Sequence, residues 1–146
     1  MRKYALLVCL VFAGFLLAGP ALAGSGGQGN VNVTPDTTCP STVGSTNLLT
    51  DSDAINVWIS PSTPTTDSLT WTLTNNGKVV NSYEDVTLTF VCTDANTGFE
   101  LWTTGINASA LSTNTGTGSK TTESYSISVF DTTTSSTVGG DSFRVG

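Results

Sequence analysis

The sequence has no histidine among its 146 residues. That removes the commonest general base and the commonest metal ligand, and with them every Ser-His-Asp or Cys-His arrangement. Basic side chains are scarce too: five Lys and Arg stand against eleven Asp and Glu, a formal charge of −6. Phosphate backbones are bound by clustered Lys and Arg, so no nucleic-acid partner is expected. The three cysteines (Cys9, Cys39 and Cys92) are too scattered for a zinc or iron–sulfur site, and no cofactor is expected. No stretch keeps helical spacing over three turns. Gly24–Gly29 (GSGGQG) matches the GxGxxG pattern by letter. With no strand before it and no helix after it, it is not read as a dinucleotide loop.

What is present divides into two unlike pieces. Met1–Ala23 reads as a signal peptide: Arg2 and Lys3 lead, Ala5–Ala18 is uncharged and apolar, and Ala21-Leu22-Ala23 is an A-x-A cleavage site. The apolar run is shorter than the ~20 residues that span a bilayer, so cleavage is favoured over an uncleaved anchor. Without the leader, three basic and eleven acidic side chains remain in residues 24–146, a formal charge of −8. Thr and Ser fill 44 of those 123 positions, so the core must be thin, as in a two-layer domain. No second membrane span is expected. Export makes a Cys39–Cys92 disulfide the natural expectation.

Residues 24–35 read as a flexible tail that includes a short strand at Val31–Thr34. Residues 36–146 read as one all-β domain. Ile55, Val57 and Ile59 share one face. Leu69–Thr74 alternates without fault, and Asn75-Asn76-Gly77 then supplies a turn. Val86–Thr93 alternates again, which directs Val86, Leu88, Phe90 and Cys92 inward; Phe99–Thr103 is its hairpin partner. Ser124–Val129 directs Tyr125, Ile127 and Val129 inward, and Ser142–Val145 is a last strand. Seven or eight short strands with turns between them predict an antiparallel immunoglobulin-like β-sandwich.

Three segments carry a family resemblance: SLTWTLTNNG (Ser68–Gly77), DVTLTF (Asp85–Phe90) and GSKTTESYSISV (Gly118–Val129). This region resembles the CARDB-like, cell-adhesion-related immunoglobulin-type domains of bacterial and archaeal surfaces. There too a strand runs into an Asn-Gly turn and a late Lys-Thr turn leads into an alternating strand. The match covers about half of residues 24–146. The resemblance implies a structural or adhesive role at the cell surface and carries over no catalytic residue. Cys39, Trp58 and Cys92 also follow the Cys-Trp-Cys order of immunoglobulin domains. The setting of Cys39 beside Pro40 argues for a staple from a loop or edge rather than from a central strand.

The remaining candidates are few. Asp51-Ser52-Asp53 places two carboxylates two positions apart, a weak calcium candidate weighed against an ordinary turn. Trp71 is in phase with Leu69 and Leu73 and should be core. Trp58 is out of phase with its apolar neighbours, and Trp102 is out of phase with Phe99 and Leu101. Both are candidates for the more solvent-facing side of their strands, where an aromatic ring can stack on a sugar. The alternative, given more weight, is that both strands are buried on two faces or that subunit contacts cover the rings. Asn32 and Asn107 begin N-x-S/T sequons. Scattered acids offer no specific glycosidase pair.

Together these observations predict a secreted, non-enzymatic structural protein. The leading expectation is a subunit of a pilus-like extracellular filament or other adhesive surface structure. Val31 and Val33 would then form a donor strand that links copies head to tail. The alternative is a secreted carbohydrate-binding module using Trp58 or Trp102.

Overall fold

A computed structural model of the chain describes residues 28–60, 67–111 and 122–146. The expected leader lies outside them. The strands are β1 (Gln28–Gly29), β2 (Val31–Thr34), β3 (Leu48–Leu49), β4 (Ala54–Ile59), β5 (Leu69–Asn75), β6 (Lys78–Val79), β7 (Val86–Thr87), β8 (Thr89–Thr93), β9 (Glu100–Asn107), β10 (Glu123–Asp131) and β11 (Ser136–Val145). The larger sheet runs β1-β11-β10-β5-β6, with β3 also on β11 and β7 also on β5; the smaller runs β2-β4-β9-β8. All pairings are antiparallel except β3 with β11. The fold is all-β, as the alternating sequence predicts.

Alternation builds the larger sheet directly. β5 alternates buried and half-buried positions, and β10 alternates buried and exposed ones. Leu69, Trp71, Leu73, Tyr125, Ile127 and Val129 point inward and Thr and Ser point out. Asn76 and Gly77 take positive φ (49° and 74°), the backbone that a two-residue turn needs between the Asn75–Lys78 pair. From the smaller sheet, Val31, Val33, Ile55, Val57, Ile59 and Trp102 meet the larger sheet in one apolar core.

The run Val86–Thr93 departs from expectation because it serves both sheets. β7 pairs with β5 in one and β8 with β9 in the other. The change occurs at buried Leu88, whose N–H donates to the Leu69 carbonyl at 2.8 Å. A register shift between Phe90 and Cys92 then reverses the phase. Phe90 pairs with Trp102 and Cys92 with Leu101. Cross-strand partners share a face, so Cys92 lies on the face opposite Trp102 and not inward as expected.

Residues 28–34 are built into both sheets: the strand expected at Val31–Thr34 is β2, and residues 28–29, read as tail, form β1. β1 pairs with Gly139 and Gly140 of β11, and β2 pairs with β4. Val31 and Val33 have no exposed surface. Their apolar side chains find a place in the core that a Gly-rich flank does not reveal. Residues 24–27 lie outside the described residues.

Candidate interaction surfaces

The outer face of the smaller sheet is covered by its own chain. Trp58, Leu101 and Cys92 share that face through the pairs Trp58–Leu101 and Leu101–Cys92. The segment 36–44 is tied to it twice. Cys39 forms a disulfide with Cys92, with Cα atoms 6.2 Å apart. Trp58 Nε1 donates to Asp36 Oδ2 at 3.0 Å, and Asn56 Nδ2 donates to the Asp36 carbonyl at 2.7 Å. This is the loop-to-edge staple that Pro40 suggested.

The solvent-facing placement fails for both tryptophans, for different reasons, and the packed alternative holds. Trp58 is 1 % exposed and Trp102 is 3 % exposed, so neither ring can receive a sugar. Trp58 is out of phase with the core, but the strap buries it. Trp102 is paired with Val57 and belongs to the core, edge-on to Phe90 with ring centroids 5.4 Å apart. The inward residues of β9 are thus Glu100, Trp102 and Thr104, and Leu101 faces the strap. Two polar side chains on the inner face obscured that phase. Both are satisfied: Glu100 Oε2 accepts Trp102 Nε1 at 3.1 Å, and Thr104 Oγ1 donates to the Ile55 carbonyl at 2.5 Å. Trp71 is core as expected; it stacks on Tyr83, with its Nε1 unpartnered.

Several acids are occupied as hydrogen-bond acceptors. Asp36 accepts from Ser41 Oγ, from Thr42 N and Oγ1, from Val43 N and Gly44 N, and from Trp58 Nε1. Burial pushes its carboxyl up, but the donations from Ser41, Thr42, Trp58 and Val43 outweigh that and hold it well below the ordinary carboxylate range. Asp131 accepts from Thr133 N, Thr134 N and Thr134 Oγ1, closing the turn between β10 and β11. Those bonds, the Thr134 hydroxyl foremost, lower its pKa. Burial, with the adjacent Asp131 carboxylate, raises that of Asp67. Burial raises Glu100 as well, the Trp102 bond opposing it and the charge of Asp67 adding to it.

The weak calcium candidate is a turn in this structure. Asp53 Oδ2 accepts from Thr50 N and Oγ1 at 2.7 and 2.9 Å, and the Asp51 carbonyl accepts from Ser109 N. Among the described residues no group of three His, Cys, Asp or Glu side chains is placed to hold a metal ion. Of the two sequons, Asn107 and Ser109 are exposed. Asn32 is half-buried within β2, and the Thr34 hydroxyl of its sequon is buried and donates to the Gly44 carbonyl.

The outer face of the larger sheet is not among the sites expected from the sequence. Thr74, Ser126 and Ser142 stand side by side across β5, β10 and β11, as do Thr72, Ser128 and Gly140. The Ser126 and Ser142 hydroxyls are 2.9 Å apart. Two shallow grooves of about 420 Å³ each share these two serines. One extends toward Asn76 and Arg144, the other toward Thr137 and Gly140. The clue in the sequence was the set of Thr and Ser positions that alternate with the core residues of β5 and β10.

No family model, curated protein or solved structure matches the chain. Among the described residues no helix is long and apolar enough to cross a membrane.

Proposed function

We propose that the chain is a secreted, non-enzymatic structural protein with an immunoglobulin-like sandwich of the CARDB-like kind. In this reading it is a subunit of an extracellular filament or of another cell-surface or adhesive structure. The observation that carries this is the use made of its carboxylates. Asp36, Asp53, Asp94, Asp131 and Asp141 accept hydrogen bonds that hold turns and strands. These acids build the frame. The disulfide suits an oxidising compartment. The hydroxyl-rich face, with Arg144 at one end and Asp85 bonded to Thr72, offers a contact between acidic copies that brings few carboxylates together. Cell fractionation with N-terminal sequencing tests the reading. Material outside the cell that begins at Gly24 supports it; an intact leader on cytosolic material overturns it.

The shared serine grooves favour one second reading, a carbohydrate-binding module using this face instead of the tryptophans. Glycan-array binding that is lost on Ser126→Lys and Ser142→Lys would support it. Binding unchanged by both substitutions would count against it.

A further inference from the structure

We propose that residues 28–34 are exchanged between two copies of the chain, and that the exchange closes a two-fold pair. The inference rests on the reading of the chain as a self-associating structural subunit and specifies the joint.

Residues 28–34 close the side of the molecule between β4 and β11. β1 pairs with β11, and β2 pairs with β4 as the last strand of its sheet. On its far side the Val33 N–H donates to Asp141 Oδ2 on β11 at 2.8 Å. Val31, Val33 and Thr34 have no exposed surface. A slot without this strand would open apolar pockets, unpair the edge of β4 and take a backbone donor from a buried carboxylate. Each of these is unfavourable, so the slot must be filled. An identical strand from a second copy makes the same contacts. The choice between own and foreign strand then rests on concentration and on the linker.

The linker is very short. Asp36 is held by six hydrogen bonds, which leaves Pro35 alone between it and Thr34. If those bonds open, the Cys39–Cys92 disulfide holds the chain next. The free stretch is then Pro35–Thr38, which reaches about 14 Å when extended. A donor must therefore have its Asp36 close to the Thr34 end of the acceptor's slot. The acceptor's own Asp36 sits there too. The two anchors meet, and each displaced strand lies beside the other copy's empty slot. Reciprocal exchange about a two-fold axis is the geometry that satisfies both copies; an open head-to-tail chain needs a longer tether.

The test uses the full secreted chain without substitution. A 1:1 mixture of carbon-13-labelled and unlabelled protein is unfolded and refolded together at high concentration, and the dimer fraction is isolated. Isotope-filtered NMR should show contacts from Val33 of one copy to Val57 of the other. An excess of a synthetic peptide of residues 28–34, about tenfold, should lower the dimer fraction about twofold or more. The peptide with Val31→Asp and Val33→Asp should leave it unchanged. Association with Val33–Val57 contacts only within each copy overturns the exchange and leaves the structural-subunit reading standing. A monomer at every concentration overturns the exchange as well. The subunit reading then rests on the fractionation result.

Discussion

The indole N–H of Trp58 donates to the carboxylate of Asp36 at 3.0 Å, joining the strap over the smaller sheet to the strand beneath it. Asp36→Ala leaves that N–H and five further donations without their acceptor. A hydrogen bond to a charged group is worth ~1.5–3 kcal/mol net; the six share one carboxylate and several of their donors can turn to water, so a loss of about 3 kcal/mol is expected. The folded-state pKa of Asp36 lies below its unfolded value. Its stabilisation is therefore present above about pH 4 and is lost as pH falls through the folded value. Urea unfolding of wild type and Asp36→Ala should differ most near neutrality and converge in strong acid.

Removing the disulfide should cost more than loosening the strap locally. The cross-link joins residues 53 positions apart, and the chain-entropy relation puts its effect near ~4 kcal/mol. The Cys39→Ser, Cys92→Ser double variant should unfold at lower urea by about that amount. Trp58 fluorescence should shift to the red if the strap lifts while the sheets persist.

Glu100 works in the opposite direction to Asp36. Burial raises its carboxyl, so the folded state binds its proton more tightly than the unfolded chain. The ionised form then lowers stability above the folded pKa, and acidification toward the ordinary glutamate range relieves it. Glu100→Gln keeps an acceptor for Trp102 Nε1 and removes the charge. Its melting temperature at pH 7 should exceed that of wild type, with the difference shrinking as pH falls toward 4. A lower melting temperature at pH 7 would show that the carboxylate is needed for more than its hydrogen bond.

Gly140 tests the packing of β11 on β10. A Cβ at this position would lie 2.7 Å from the Ile127 carbonyl oxygen, a backbone atom that cannot swing aside. Gly140→Ala should therefore destabilise by ~2 kcal/mol. Chemical-shift changes should centre on Ile127 and Ser128, where the strands would separate.

How much of this the sequence revealed depended on whether one face of a strand met water. β5 and β10 are covered on one side only, so Leu69–Thr74 and Ser124–Val129 carried a clean period of two. β4 is buried on both faces, which erased the distinction between Ile55, Val57 and Ile59 on one side and Trp58 on the other. In β9 the inward Glu100 and Thr104 are polar, and the apolar Leu101 faces the strap. Counting apolar positions therefore reversed the phase of Trp102. The disulfide was legible from cysteine number and expected export. The Asp36 hub was not, because its donors come partly from the turn at residues 41–44 and partly from Trp58, 22 positions away.

Native material viewed by negative-stain microscopy, with its mass read by light scattering, tests the central claim most directly. The account predicts extracellular assemblies built from chains that begin at Gly24 and carry an intact Cys39–Cys92 disulfide. A monodisperse monomer that remains inside the cell and never associates would contradict it.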